Sequence, residues 1–429
     1  MNVLNTDQSA ESLISRANKV LPAGSFGNMP GDIVLERGKA GRVWDINGTE
    51  YVDFLLGSGP MFVGHAHPDV TKAITEQAPQ GTTFFANNQY GIKLAEEICE
   101  AMTCADQLRF VSSGSEATLY AMRLARAYRK RDKILKFEGG YHGMSDYSLM
   151  SLAPTRLANY PQALPDSAGI PKQVSNEVII APFNDIETVK SLINEYHDEL
   201  GGVIVEPFQR LIPPAPGFLE MLREITLKYK IPLIFDEIVT GFRFSYGGAQ
   251  DYYGVTPDLC TLGKIIGGGF PVAAVCGHKE IMKHFDKALV GEENFLPQIG
   301  TLSGNPLASV AGLATLNILK PKPSYQKVFD TGRQLMEGLE AALQDNGHTA
   351  QITGEPALFD VFFSNRKIKN YRDVLQSDTR KSRSFNQLLR KRKIFKSDSK
   401  FYVSLAHTQD DIDLTISAMN HAAKELKEL

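Results

Sequence analysis

Lys264 stands in the run Thr261-Leu-Gly-Lys-Ile-Ile-Gly-Gly-Gly-Phe-Pro271, and upstream of it Asp236 closes the apolar run Ile231-Pro-Leu-Ile-Phe-Asp236. A carboxylate ending a short apolar strand and a lysine in a glycine-rich loop match two needs of pyridoxal phosphate (PLP) chemistry. An amine must form a Schiff base with an aldehyde, and an anion must keep a pyridine nitrogen protonated so that the ring draws electrons. The glycines after Lys264 let backbone pass a flat cofactor without Cβ clashes. Alone, a lysine in such a loop reads as a solvated charge. The pair is the signal.

Three further stretches could assist. Phe110-Val-Ser-Ser-Gly-Ser-Glu-Ala-Thr118 reads as a strand end, a turn and the first turn of a helix. The N–H groups of Gly114 and Ser115, the Ser115 hydroxyl and the helix dipole would make a phosphate site. The plain alternative is an N-cap with Glu116 in the first turn. Ser113 and Ala117 break the G-x-S-x-G elbow of hydrolases, and Asp258 and Ile265 break a Walker motif around Lys264. Glu138-Gly-Gly-Tyr-His-Gly143 follows a strand at a carboxyl edge, where Tyr141 either stacks on a flat ring or simply packs. Arg210, just past Gly202-Val-Ile-Val-Glu206, is a candidate carboxylate clamp, with a surface arginine as the alternative. His65, His67 and His142 have no further ligand at useful spacing, so no metal is expected.

Elements must bring these residues together. A helix is predicted from about Ser9 to Val20, then a hairpin-like stretch over 33–38, 42–46 and 50–54 with Asn47-Gly48 as its turn. From about 90 to 280, helices (94–101, 116–129) alternate with apolar strands (133–137, 177–180, 202–206, 232–236). That alternation predicts an α/β fold around a mostly parallel sheet covered on both faces. Residues 320–324 look like a hinge, which divides the chain into an N-terminal segment (1–59) belonging to a small lobe, a large domain (60–319) and a C-terminal small domain (320–429). The basic stretch 380–396 reads as a solvated helix face. The long aperiodic segment 152–173 reads as a lid over the site.

Bulk composition narrows the classes. A length of 429 residues, 43% hydrophobic residues and a net charge of −3 describe a soluble multi-lobed protein, with no electrostatic call for nucleic acid or membrane. Four cysteines form neither a disulfide framework nor a zinc site. The first eleven residues lack the pattern of a secretory leader, so a cytoplasmic enzyme is expected.

Taken in order, Val63–Pro68, Ser112–Thr118, Lys136–Gly143, Val205–Pro207, Phe235–Arg243, Thr261–Gly269 and Gly300–Pro306 resemble the fold type I, class III PLP-dependent aminotransferases over nearly the whole chain. Within that family the chain is most similar to the glutamate-1-semialdehyde 2,1-aminomutase branch, down to Ser404-Leu-Ala-His-Thr408. The resemblance implies Lys264 as the Schiff-base lysine, Asp236 as the pyridinium partner, and Ile238 and Tyr141 on opposite ring faces. It places His142 and Glu206 in the cofactor site, gives the phosphate to Gly114 and Ser115, and sends Thr301 to a neighbouring subunit's cofactor in a homodimer. The chain departs from the branch where Pro22–Pro30 supplies no arginine, where Ser58 replaces a tryptophan of the substrate pocket, and where Ser399 replaces an acidic residue. Those departures favour a two-substrate aminotransferase, taking a small amino acid or amine and a keto acid acceptor, over an aminomutase or racemase. A PLP-fold protein kept as a non-enzymatic scaffold is disfavoured by the intact Lys264 and Asp236.

Overall fold

The computed structural model describes residues 9–427, so most of the stretch read for a leader lies outside the described residues. Seven strands form the central sheet: β1 (Gln107–Val111), β2 (Lys133–Phe137), β3 (Val178–Ala181), β4 (Leu200–Val205), β5 (Leu233–Asp236), β6 (Leu259–Leu262) and β7 (Ala273–Gly277). Their order is β1-β7-β6-β5-β4-β2-β3. Pairings among β2 to β6 are parallel, and β7 alone runs antiparallel, to β1 on one side and β6 on the other. The carboxyl ends of β1, β2, β4, β5 and β6 therefore open on one edge. In an α/β sheet that edge is where ligands bind.

Every residue of β3 to β7 is buried, as expected for strands covered on both faces. The helix Gly114–Arg129 lays Ala117, Ala121, Leu124 and Ala125 onto the sheet. On the helix Pro306–Leu319, Gly312 is so close to the Lys264 loop that an added Cβ would stand 2.1 Å from the Ile266 carbonyl. β6 and β7 were not foreseen, because Thr261-Leu262 was absorbed into the glycine-rich loop and Ala273-Ala-Val-Cys-Gly277 has little β-branched character.

Strands Leu35–Lys39, Arg42–Asp45 and Glu50–Asp53 form the expected antiparallel ladder, and the last pairs in parallel with Ile394–Phe395. The two ends of the chain thus meet in one small sheet. Gly48 takes φ +80° at the turn read from Asn47-Gly48. One hydrophobic core runs from Phe54 through Phe235 to Phe401, joining this layer to the central sheet.

Four expectations change. The helix forms as Ala10–Val20 with Ser9 as its N-cap, but none of its residues is buried, so its apolar face is not a core face. The stretch 320–324 is mostly helical, since Lys322–Asp345 begins right after Pro321. The basic helix ends at Lys391; Lys396, read as part of its solvated face, is instead buried and ion-paired to Asp360 at 2.8 Å. Segment 152–173 is irregular as expected, but it is stitched down rather than free. Ser151 N–H donates to the Leu164 carbonyl (2.7 Å), Ile180 N–H to Pro161 (3.0 Å) and Arg372 to Ala158 (2.7 Å). It is a strap along the edge strand β3, because backbone at a sheet edge must find partners.

Candidate active site

A cleft of about 190 Å3 lies at the shared edge, and Gly114, Ser115, Tyr141, Glu206, Asp236, Ile238 and Lys264 all line it. They arrive from five strand ends. Asp236 is the last residue of β5, Glu206 follows β4, and Tyr141 comes from the loop after β2. Lys264 sits two residues past β6, and Gly114 starts the helix after β1.

Asp236 is buried and receives three donors. His142 Nδ1 lies 2.7 Å from Oδ2, while Thr261 Oγ1 donates to Oδ1 at 3.0 Å and Ile238 N–H at 3.2 Å. These contacts fix the orientation of the Asp236 carboxyl in the cleft wall. Thr261 is its register partner across β5 and β6. His142, read from the sequence as a cofactor contact, stands behind Asp236, and its Nε2 is buried without a partner. It reaches the cleft only through Asp236.

Lys264 adopts φ +47°, a left-handed conformation that favours glycine and marks a residue held by its surroundings. Burial pushes its ammonium below the ordinary lysine value; Lys400 and Arg243 add to the shift, while Tyr402 and Asp236 oppose it. The result is an amine with a larger neutral fraction near pH 7 than a surface lysine has.

Ser113 caps the helix Gly114–Arg129 in a capping box with Glu116, whose carboxylate accepts from the N–H groups of Ser112 (2.8 Å) and Ser113 (2.9 Å). The plain reading is therefore correct for Ser113. Among the described residues nothing accepts from the Gly114 and Ser115 N–H groups, so the anion-binding end stays open. Ser115 Oγ is fixed by Met144 N–H at 3.2 Å. Gly143 closes against it at φ +86°: a Cβ there would meet Ser115 Oγ at 2.5 Å. That cradle has no room for a side chain.

Ile238 packs on Gly114, whose Cβ position lies 3.2 Å from its side chain. Glu206 is buried and accepts the Tyr141 N–H at 2.9 Å, and the Arg210 guanidinium stands 5.4 Å from the Tyr141 ring centroid. Arg210 is exposed, at φ +61° in a tight turn closed by Gln209 and Ile212. Three residues expected at the site, His142, Arg210 and Ser58, do not line the cleft, and neither does Thr301, which was assigned to a second copy's cofactor. Ser58 lies in a turn whose neighbour Gly59 is clamped by Arg243 (2.6 Å to its carbonyl), and Thr301 is exposed, its carbonyl accepting from Thr83 at 3.2 Å.

Sequence reading gave Arg243 no role. Arg243 is fully buried, bonds the carbonyls of Val239 and Gly59, and is pushed down to about 10 by burial. Its place at the end of the motif Phe235–Arg243 was a usable signal. Among the described residues no cluster of acidic, histidine or cysteine side chains could hold a metal, and no helix is long and apolar enough to cross a membrane.

The model of the class-III aminotransferase family matches residues 25–422. A curated relative, glutamate-1-semialdehyde 2,1-aminomutase 2 of Exiguobacterium sp., is 42% identical over 98% of both chains. The crystal structure of an omega-transaminase from Sphaerobacter thermophilus superposes with a TM-score of 0.91 at 35% identity, covering 98% of each chain. A beta-phenylalanine aminotransferase from Variovorax paradoxus gives 0.85 at 28%, covering 96% of this chain and 93% of its own.

Proposed function

This chain belongs to the class-III aminotransferases, and from that premise we propose that it moves an amino group from a small amino acid or amine to a keto acid, using PLP. The observation that carries the reading is the meeting of Lys264 and Asp236 in one cleft, with open helix N–H groups beside them. The residues fit the cofactor's chemistry: an anion cradle at Gly114 and Ser115, a buried carboxylate held by three donors, and a buried amine. When bound, PLP supplies an electrophilic aldehyde and an electron-withdrawing ring.

The side chains do the rest. Asp236 would keep a proton on the ring nitrogen, and His142 and Thr261 hold Asp236 in place. Ile238 and Tyr141 would pack against the cofactor ring. Lys264 Nζ would hold the cofactor covalently and would take a proton from the substrate carbon and return it. Its lowered proton affinity suits it to take that proton near neutral pH.

Thr301 is assigned to the cofactor phosphate of a second copy, so the reading includes a homodimer. Exposed Phe85, Ile92 and Ile299 beside the stretch 300–304 offer an apolar face for that copy.

A second reading has its own support in the 42% identity to the aminomutase of Exiguobacterium sp.: transfer of the amino group within one molecule. One experiment separates them. The holoenzyme is given single amino donors with and without pyruvate or 2-oxoglutarate, and amino-acid products are measured. Product only with the keto acid supports transamination. Conversion of glutamate-1-semialdehyde alone supports the aminomutase, and a holoenzyme inert to both sinks the proposal.

A further inference from the structure

The loop after β2 carries Tyr141 to the cleft and His142 to the back of Asp236. Gly139 and Gly140, in its bend, have little backbone preference of their own, so contacts must set its shape. Some contacts are local. Glu206 holds the Tyr141 N–H at 2.9 Å, and the Glu138 carbonyl accepts from Gln209 at 2.8 Å. The charged ones come from the far end of the sequence. Arg372 Nε and Nη2 fork onto the Glu138 carboxylate at 2.7 and 3.1 Å, and Tyr160 Oη donates to the same carboxylate at 2.7 Å.

Glu138 is buried, and among the described residues Arg372 is its ion-pair partner. Removing one member of such a pair strands the other charge, which costs far more than the pair contributes. The next residue adds a steric lock: Gly139 sits at φ +82°, and a Cβ there would stand 2.6 Å from the Tyr371 ring. Tyr371 and Arg372 open the short helix Tyr371–Val374, capped by Asn370 and Asp373. Asn184 Nδ2 docks it by donating to the Lys369 carbonyl at 3.0 Å. The same two side chains also hold the strap, Arg372 at the Ala158 carbonyl (2.7 Å) and Tyr371 Oη at that of Pro154 (3.3 Å). Neither side chain lines the cleft. They reach it through Glu138 and Gly139.

We propose that Arg372, with Tyr371, is a positioning residue for the cofactor. It holds Glu138-Gly139 and so keeps Tyr141 on the cleft wall and His142 against Asp236. This rests on the PLP reading and deepens it, because retention of PLP then depends on how a segment 234 residues beyond Glu138 is seated. Loosening Lys369–Val374 would release the loop and the strap together, and the cofactor with them.

The test follows the full chain with and without PLP. Hydrogen–deuterium exchange of the peptide covering 138–143 reads the loop, and equilibrium dialysis reads cofactor affinity. Arg372→Met is expected to speed that exchange and to weaken PLP binding about tenfold, as for loss of one charge-assisted contact. Adding Glu138→Gln removes the stranded charge and should restore most of the loss, a rescue that a residue serving only the fold would not show. Arg372→Lys keeps the charge without the fork, should fall between, and serves if the methionine variant does not fold. Glu355→Gln is the control: it disturbs contacts of 2.9 and 3.3 Å to Tyr252 and Tyr253 that join the strand Gln351–Glu355 to the end of the helix Gly248–Tyr252 rather than to the loop. It should leave PLP affinity within about twofold. Unchanged PLP affinity in Arg372→Met overturns the proposal, as does an equal loss in Glu355→Gln or the absence of rescue by Glu138→Gln. Faster exchange in Arg372→Met, in a protein whose wild type takes up no PLP, would sink the cofactor reading and keep the latch on the loop.

Discussion

His142 Nδ1 lies 2.7 Å from Asp236 Oδ2, and both side chains are buried. The ring does not reach the cleft; it fixes the carboxylate that does. A partner of this kind orients a reactive group and is felt in its chemistry. Asp236→Asn, which removes the charge and keeps the shape, is expected to lower turnover by about a thousandfold. His142→Phe should cost about ten- to a hundredfold and weaken PLP retention, read by equilibrium dialysis. Unchanged turnover and retention in His142→Phe would reduce the ring to packing.

Lys264→Ala should still take up PLP through Gly114, Ser115 and Asp236 but no longer hold it covalently. Borohydride treatment followed by mass spectrometry reads this directly: wild-type protein gains the cofactor's mass and the variant does not. Turnover should fall by several orders of magnitude. A variant that is labelled as well as wild type would move the reactive amine elsewhere.

Gly143 and Gly169 offer a matched pair. Both hold left-handed backbone, at φ +86° and +87°, but only at Gly143 would a Cβ collide, with Ser115 Oγ and Cα. Each alanine substitution should cost stability on the order of 1 kcal/mol from backbone strain. Gly143→Ala alone should weaken PLP binding, by roughly tenfold, since it displaces the hydroxyl of the cradle. Equal affinities for the two variants would remove Ser115 from phosphate binding.

Lys136 is fully buried, donates to the carbonyls of Ser148 and Met150 at 2.7 Å each, and is pushed by burial from 10.5 down to about 7. Between pH 7 and its unfolded value the unfolded chain holds a proton that the folded chain lacks. Stability from this group therefore rises with pH across that window, by about 1.4 kcal/mol per unit at most. Wild type should gain stability relative to Lys136→Met from pH 7 to 9 in urea titrations. A constant difference would mean that Lys136 stays charged in the fold.

Much of the site was legible because its chemistry is written in residue types and its place in the fold follows from strand ends. Lys264, Asp236, Gly114, Ser115, Tyr141, Glu206 and Ile238 were all singled out from the sequence, and all line one cleft. The strands 133–137 and 232–236 were readable because buried parallel strands are short, continuous apolar runs. β6 and β7 were not, since small residues and a nearby glycine-rich loop carry no strand period.

By itself the sequence determined the cofactor chemistry, the α/β architecture and the carboxyl edge on which the site is built. Those depend on local patterns and on the ordered arrangement of motifs along the chain. Tertiary structure alone decided which charges meet. The sequence offered His142 as a cofactor contact, and the fold set it behind Asp236. Lys396 was read on the solvated face of the basic stretch 380–396; the fold buried it and paired it with Asp360. Residues hundreds of positions apart are joined only by packing, and for a buried charge the partner found in packing decides its role.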